Sequence, residues 1–219
     1  DLNKGQSVIG STSSNMNIDS DIKSNMIDII KSISKICRVP LTIGGKIRTL
    51  EDIRKRLKAG ADKVVINTKA IENPKFINEA SKEFGSQCTV VCIDVTKSNI
   101  NNKMNWQIVK SFGKEKTKLN LIDWIIKIQE LGAGEVLIQS VDRDGTGQGY
   151  DLDLIKIASK ILKVPFIILG GVGSFQDLVD GYNANNEIAL AAANIFHFTE
   201  QSVLNAKKFM FKNNINVRI

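Results

Sequence analysis

Two glycine pairs, each directly after a short apolar run, give the clearest chemical signal in the sequence. The pairs are Gly44-Gly45 and Gly170-Gly171. Glycine after a strand lets backbone N–H groups approach phosphate oxygens closely, because no Cβ stands in the way. One such pair is more often explained by a turn than by a ligand. Two pairs at matched positions predict a substrate that carries a phosphate at each end.

Asp94 follows the apolar residues 90–93 (VVCI) and is the best candidate for proton transfer. A carboxyl group that ends an apolar strand is partly buried, and burial raises its pKa toward the range that acid–base catalysis needs. The same position also suits a helix N-cap or a structural acid in a salt bridge. The residues alone leave these roles open.

A repeated strand–helix pattern from residue 40 onward must position these groups. Apolar, β-branched runs occupy residues 41–43, 63–66, 89–93, 135–138, 166–169 and 188–192. Amphipathic helical patterns alternate with them at residues 49–59, 74–84, 119–131, 151–162, 174–182 and 199–213. Strands that are apolar on both faces and alternate with helices indicate a parallel sheet covered on both faces. Residues 105–112 alternate between polar and apolar, which predicts a hairpin after the third run.

The chain also repeats itself. Residues 43–46 (IGGK) with 49–52 (TLED) echo residues 169–172 (LGGV) with 174–177 (SFQD). A duplicated four-unit half-barrel leaves such an echo, whereas an open doubly wound sheet does not, so we predict an α/β fold of the (β/α)8 TIM-barrel type. Function in such a barrel lies at the carboxyl ends of the strands. Besides Asp94 and the glycine pairs, those ends carry Asn67, Thr68, Asp144, Gly145, Ala193 and Asn194.

The beginning of the chain does not fit a complete barrel. A closed barrel needs eight strand–helix units, but residues 1–39 hold one good helix, at 26–37, where two units are expected. Asp1 with residues 2–4 echoes Asp94 with residues 95–97, which indicates the end of a first strand. We therefore expect the first two units to be truncated or irregular. The predicted organisation is one barrel domain over residues 1–219, with an irregular segment at residues 1–24.

Composition and charge exclude several classes of protein. The net charge of +7 comes from Lys and Arg scattered along helices with few aromatic residues, which favours a solvated basic surface over a nucleic-acid interface. The sequence shows neither a long apolar run nor a signal peptide, so no membrane association is predicted. The three cysteines have no metal-ligand spacing, which indicates a cytoplasmic protein with reduced cysteines. We expect neither a metal ion nor a cofactor.

Longer motifs resemble the cyclase subunit of imidazole glycerol phosphate synthase, a phosphate-binding (β/α)8-barrel family. The matching segments keep the family's order and are residues 60–68 (GADKVVINT), 85–94 (GSQCTVVCID), 131–135 (LGAGE), 142–151 (DRDGTGQGYD), 194–198 (NIFHF) and 216–218 (NVR). The resemblance extends over roughly residues 26–219. It implies a lyase/cyclase of histidine biosynthesis. Ammonia from a glutaminase partner would attack a ribulosyl-phosphate aminoimidazole carboxamide, yielding imidazole glycerol phosphate and aminoimidazole carboxamide ribotide.

The resemblance also implies roles for individual residues. Asp94 would be the acid/base of the fifth strand, with Asp1 as its partner from the first strand. Lys63 and Glu135 match two members of a charged gate at the lower mouth of the barrel, where ammonia enters. Considered alone, this pair could equally be an ordinary ion pair between neighbouring strands. The residues that would surround the phosphorylated substrate are Gly44, Gly45, Asn67, Thr68, Asp144, Gly145, Gly170, Gly171, Ala193 and Asn194.

Three residues depart from the pattern of the histidine pathway enzyme. Lys46 replaces a third glycine, Leu169 a small polar residue, and Gln139 a smaller hydroxyl residue. These changes favour a second branch of the family, associated with bacterial surface-polysaccharide synthesis, which supplies ammonia together with a glutaminase and a sugar amidotransferase. A non-catalytic scaffold that binds the glutaminase is a third hypothesis. The sister phosphoribosyl isomerase is less favoured, because residues 85–87 and 196–198 match the cyclase.

Overall fold

The computed structural model describes residues 21–100, 103–111, 113–197 and 202–219. These residues group into two compact units. The N-terminal unit contains the described residues up to Cys92 together with Ile128–Glu135. The C-terminal unit contains the described residues of Ile93–Lys127 and Val136–Ile219.

Helices and strands alternate along the chain. It begins with helix α1 (Asp21–Ile36), strand β1 (Thr42–Gly44), α2 (Leu50–Lys58), β2 (Lys63–Ile66), α3 (Thr68–Glu72), α4 (Lys75–Phe84) and a 3₁₀ helix at Ser86–Cys88. It continues with β3 (Thr89–Ile100), β4 (Lys103–Lys110), β5 (Glu115–Asn120), α5 (Leu121–Glu130) and β6 (Glu135–Ser140). It ends with α6 (Leu152–Ile161), β7 (Phe166–Leu169), α7 (Phe175–Ala184), β8 (Ala189–Ala191), a 3₁₀ helix at Asn194–His197 and α8 (Val203–Lys212).

The N-terminal unit is built on parallel strands. β1 pairs with β2, and β2 pairs with the first residues of β3. Apolar side chains from these strands and from α2 and α4 form its core, and the fully buried ones include Ile53, Val64, Ile66, Ile77 and Val91. Helix α2 starts at a capping box, which satisfies backbone N–H groups of its first turn and fixes where the helix begins.

The C-terminal unit continues the same alternation. β6, β7 and β8 pair in parallel, with Leu137 opposite Ile167 and Ile168 opposite Leu190. β7 (FIIL) and β8 (ALA) are apolar throughout, and β6 (EVLIQS) is apolar at its centre, as is typical of parallel strands in a covered sheet. Parallel strands joined by helices are the repeating unit of a (β/α)8 barrel, which confirms the predicted fold class.

An antiparallel excursion interrupts the parallel strands after the third run. β3 continues to Ile100, beyond the predicted end at residue 93, and pairs antiparallel with β4, which in turn pairs with β5. The hairpin predicted from residues 105–112 is thus confirmed within the described residues. Its last strand was not predicted, because the residues of β5 (EKTKLN) are mostly charged or polar and lie largely at the surface.

The first described helix starts before its predicted position. Helix α1 begins at Asp21, earlier than its predicted start at residue 26, so residues 21–24 of the expected irregular segment are helical. Residues 1–20, with the predicted first-strand end at Asp1, lie outside the described residues. The organisation as one barrel domain stays a prediction.

Candidate active site

A Gly-Gly turn follows strand β7 in the C-terminal unit. Gly170 and Gly171 have φ angles of +112° and +100°, which residues with a side chain rarely adopt. A Cβ on Gly170 would lie 2.6 Å from the carbonyl oxygen of Ser140, and one on Gly171 would lie 2.1 Å from that of Gly149. Backbone conformation and close approach therefore both require glycine here.

The loop after β6 forms the other wall of this region. The Gly149 N–H donates to the carbonyl of Gly171 at 2.8 Å, which joins the loop to the turn. The Arg143 guanidinium donates to the carbonyl of Gln148 at 2.8 Å and closes the loop on itself. A Cβ on Gly145 would meet nothing within 4 Å, so the chain is open on that side.

A narrow cleft lies between the loop and the turn. It is lined by Asp144, Gly145, Leu169, Gly170, Gly171, Val172, Ala192, Ala193 and Asn194. Within the part of the chain that the structure describes, the backbone N–H groups of Val172 and Asn194 donate no hydrogen bond to the protein. Such groups need an acceptor, and a glycine-rich cleft that presents them suits a phosphate. The six predicted residues of this half therefore meet in one cleft: Asp144, Gly145, Gly170, Gly171, Ala193 and Asn194.

Asp144 is held by a side chain from the end of β6. The amide nitrogen of Gln139 donates to its carboxylate at 3.2 Å. Gln139 belongs to the partly buried row of β6 that alternates with the buried Val136, Ile138 and Ser140. The departure from the family pattern at residue 139 thus acts directly on a predicted site residue.

Tyr150 fixes the far wall of the cleft. Its side chain is buried, and its hydroxyl donates to the carbonyl of Ala191 at 2.9 Å, so it ties the loop to β8. Burial raises the pKa of the Tyr150 phenol, and the charge of Asp177 adds to this effect. The hydroxyl therefore stays protonated and keeps donating over the whole physiological pH range.

Asp94 lies within β3 and is 2 % exposed. It stands opposite Val109 at the first antiparallel pair with β4. The carbonyl of Val95, the next residue, accepts a hydrogen bond from the N–H of Val141 at 2.8 Å, which places Asp94 beside the end of β6. Since Asp94 is inside a strand, the N-cap alternative is wrong. Asp94 is not among the residues that line the cleft, and its role in proton transfer stays a prediction.

Asp151 is a site-shaping residue that the sequence analysis missed. It is 1 % exposed and caps α6 through the N–H of Leu154 at 3.2 Å. Its other oxygen accepts from the indole N–H of Trp106 at 2.8 Å and lies 3.5 Å from the Lys97 ammonium. The N–H of Lys97 also donates to the Asp142 carboxylate. The antiparallel excursion therefore anchors both ends of the loop. In the sequence, only Trp106 together with the final Asp of residues 142–151 (DRDGTGQGYD) could have indicated this contact.

The second Gly-Gly turn follows β1 in the N-terminal unit. Gly45 has a φ angle of +94° and Lys46 one of +53°, and both are exposed. A Cβ on Gly45 would meet nothing within 4 Å. The guanidinium of Arg56, which the sequence analysis did not single out, donates to the carbonyl of Gly45 at 2.8 Å.

Asn67 and Thr68 follow β2 in the same unit. Asn67 is the N-cap residue of α3, and Thr68 is the first residue of that helix. Because β1 and β2 are parallel, these residues leave the sheet at the same end as Gly44 and Gly45. The role of these four residues in binding a substrate stays a prediction.

Lys63 and Glu135 form an ion pair in the N-terminal unit. The ammonium and the carboxylate are 2.8 Å apart, and their side chains are 31 % and 15 % exposed. Thr89, at the start of β3, lies between them: it pairs with Val64 on one side and accepts the N–H of Gly134 on the other. The backbones of the two strands that carry the pair are therefore two strand spacings apart, roughly 10 Å, and the side chains meet across β3. This corrects the alternative of an ion pair between neighbouring strands.

No described helix is long and apolar enough to cross a membrane. The described residues also contain no group of three or more His, Cys, Asp or Glu side chains arranged to hold a metal ion.

The chain matches the sequence model of a known protein family. The sequence model of the family described as "Histidine biosynthesis protein" matches residues 17–202 of the 219. The match includes both Gly-Gly turns, Asp94, the loop that carries Asp144, and the Lys63–Glu135 pair. The chain therefore belongs to the histidine biosynthesis protein family, whose members are (β/α)8-barrel enzymes.

Proposed function

We propose that the chain is a cyclase of the imidazole glycerol phosphate synthase type, which uses ammonia from a glutaminase subunit. The observation that carries the proposal is the ion pair between Lys63 and Glu135. By the resemblance, the cyclase needs a charged gate at these positions, and two residues far apart in sequence do meet. Two partly buried charges that bridge over an intervening strand are poorly explained by sheet stability, since an isolated ion pair contributes about 0–1 kcal/mol.

The position of the pair supports a role at the entrance. Lys63 is the first residue of β2 and Glu135 the first residue of β6. The Gly-Gly turn of the same unit follows the opposite, carboxyl end of a parallel strand. Ammonia that enters at the amino ends would pass this gate before it reaches a substrate bound at the carboxyl ends.

The C-terminal cleft supports binding of a phosphorylated substrate. Gly170 and Gly171 keep side chains out of its floor, and the N–H groups of Val172 and Asn194 face no protein acceptor among the described residues. One phosphate of the substrate would bind there. The other phosphate would bind at Gly44 and Gly45, as the repeat in the sequence predicts.

Asp94 is the proposed acid/base of this reaction. Asp94 is buried, and it lies where β3 begins its antiparallel pairing with β4. A carboxyl group can act as a general acid or base when it lies within hydrogen-bond reach of the proton that is transferred. Its predicted partner, Asp1, lies outside the described residues.

The test is ammonia-dependent turnover by the purified chain. The ribulosyl-phosphate aminoimidazole carboxamide would be supplied with an ammonium salt at alkaline pH, where more of the ammonium is present as NH₃. We expect equal amounts of imidazole glycerol phosphate and aminoimidazole carboxamide ribotide, measured by NMR. Substrate that binds without conversion would contradict the cyclase, and absence of binding would leave the scaffold hypothesis.

A second candidate is the ammonia-handling subunit of surface-polysaccharide sugar amidation. The hydrogen bond from Gln139 to Asp144 favours it, because a long amide engages this carboxylate where the histidine pathway enzyme has a smaller hydroxyl residue. If Gln139 adapts the site to another substrate, Gln139→Thr should increase turnover of the histidine-pathway substrate. The exposed Gln176→Thr on α7 is the matched control, and equal rates in both variants and the wild type would count against this candidate.

A further inference from the structure

The two Gly-Gly turns lead into helices that begin in the same way. The carboxylate of Asp52 accepts hydrogen bonds from the N–H and the hydroxyl of Thr49, both at 2.9 Å. The carboxylate of Asp177 accepts the corresponding bonds from Ser174, at 2.8 and 3.1 Å. The helix starts are therefore alike, although the segment between the second glycine and the capping residue is one residue longer in the N-terminal unit (46–48 against 172–173).

The carbonyl of the second glycine is satisfied differently in the two turns. Gly171 accepts the backbone N–H of Gly149 at 2.8 Å. Gly45 accepts the guanidinium of Arg56 at 2.8 Å. In the N-terminal unit a charged side chain thus takes the role that a backbone N–H has in the C-terminal unit.

Arg56 is in an unusual environment for an arginine. It is 8 % exposed, although arginine is almost never buried without partners. It donates to the carbonyl of Asp52 in its own helix at 2.8 Å, and its Nε has no partner among the described residues. Burial lowers the pKa of the guanidinium, and the Asp52 carboxylate opposes that effect. Burial of this charge costs free energy, which the hydrogen bond to Asp52 within the same helix does not explain.

The contact with Gly45 fixes the direction of the next N–H group. The C=O and N–H of a trans peptide point in opposite directions, and the described residues contain no cis peptide bond. With the Gly45 carbonyl held by Arg56, the N–H of Lys46 points away from Arg56. Gly44, Gly45 and Lys46 are all exposed, so the turn that carries this N–H is accessible to a ligand.

We propose that Arg56 is the positioning residue of an anion site at the Gly44–Gly45–Lys46 turn. Its guanidinium holds the Gly45–Lys46 peptide so that the Lys46 N–H faces a phosphate, and its buried positive charge favours the anion across that peptide. Arg56 does not touch the phosphate itself. This inference rests on the proposed function, in which this turn binds one phosphate of the substrate.

The test is a titration of the full chain with inorganic phosphate, followed by the ¹⁵N–¹H NMR signals of Lys46 and Val172. These two amides report the N-terminal and C-terminal turns separately. We expect Arg56→Met to weaken phosphate binding at Lys46 by about tenfold, which is the effect of one hydrogen bond to a charged group. Binding at Val172 should stay unchanged. A variant that had lost its fold would instead lose binding at both turns.

Arg54→Met is the matched control variant. It removes one positive charge from the same helix, where Arg54 pairs with Glu51 and Glu83 and does not contact the turn. We expect it to change the affinity at Lys46 by less than about twofold, since exposed charges are screened by salt. A loss equal to that of Arg56→Met would show that helix charge, and not the contact with Gly45, determines the affinity, and would overturn the proposal.

Two further measurements decide the remaining outcomes. Arg56→Gln, a milder change, should give the same selective loss if the methionine variant fails to fold. In the wild type, the side-chain N–H signals of Arg56 should shift with the same midpoint as Lys46. Binding at Lys46 that both variants retain overturns the role of Arg56 but leaves the proposed function standing. Binding at Val172 alone also overturns the inference, and binding at neither turn overturns the phosphate site of the proposed function as well.

Discussion

In the C-terminal unit, the Gly-Gly turn is pressed between the backbone carbonyls of Ser140 and Gly149, and no side chain fits there. In the N-terminal unit, the matching turn is exposed, a Cβ on Gly45 meets nothing, and a lysine occupies a left-handed position directly after it. The surrounding backbone therefore determines the C-terminal turn, whereas the hydrogen bond from the buried Arg56 stabilises the N-terminal turn. The shared Gly-Gly pair therefore predicts a turn in both units, but not the way in which each turn is stabilised.

The largest expected effect is the loss of stability when alanine replaces the second glycine of the C-terminal turn, compared with the same change in the N-terminal turn. Gly171→Ala places a Cβ 2.1 Å from the Gly149 carbonyl, so the loop must move or the turn must open. We expect a loss of about 3 kcal/mol in the free energy of unfolding, at the upper end of overpacking effects. Gly45→Ala adds strain only through its φ angle and should cost about 1 kcal/mol. Urea denaturation of both variants is the measurement, and equal losses would contradict the difference between the turns.

The capping carboxylate of the N-terminal turn gives an intermediate, pH-dependent effect. Burial alone would raise the pKa of Asp52, but hydrogen bonds from Arg48 and Thr49 outweigh it and lower the pKa below its usual 3.8. Because the folded-state pKa is depressed, this stabilisation is present above pH 3.8 and is lost as the pH falls through the folded-state value. Asp52→Asn should therefore cost about 1 kcal/mol at neutral pH, the usual effect of a helix cap.

Unfolding curves of wild type and Asp52→Asn over a range of pH provide the check. The difference between them should shrink as the solution becomes acidic. A difference that is constant down to strongly acidic pH would mean that the carboxylate charge does not contribute to the cap.

The smallest expected effect concerns Lys46. Its φ angle of +53° costs a residue with a Cβ some strain, which glycine avoids. Lys46→Gly should raise the free energy of unfolding by about 0.5 kcal/mol after the greater entropy of the unfolded glycine chain is subtracted. Lys46→Ala keeps the strained conformation and is the control. Equal stabilities for the two variants would show that the position is not strained.

Much of the fold could be predicted because its signals are local. The runs that became β1, β2, β6, β7 and β8 are apolar and bounded by turn residues, and the capping boxes at Thr49 and Ser174 mark where helices begin. Strand β5 could not be predicted, because a charged edge strand is stabilised by its pairing with β4 and has no apolar pattern of its own.

The candidate site was predicted where its function depends on the backbone and missed where it depends on distant side chains. Glycines after strands, such as Gly170 and Gly171, are visible in sequence because a close approach leaves no other residue type possible. Arg56 lies in a helical pattern and Asp151 ends the 142–151 motif, and the sequence singled out neither residue. Their burial and their contacts with Gly45 and Trp106 depend on tertiary packing, which a single sequence does not reveal.

The proposed acid/base role of Asp94 is tested most directly by measuring the rate and the melting temperature of Asp94→Asn in parallel with the wild type. The amide keeps the size of the side chain but cannot exchange a proton near neutral pH. We predict that ammonia-dependent turnover falls by about 10²–10⁴-fold, the usual contribution of general acid–base catalysis. The melting temperature should change little. A variant that melts several degrees lower, as expected for each ~1 kcal/mol of lost stability, yet turns over normally per folded molecule would contradict the acid/base role of Asp94.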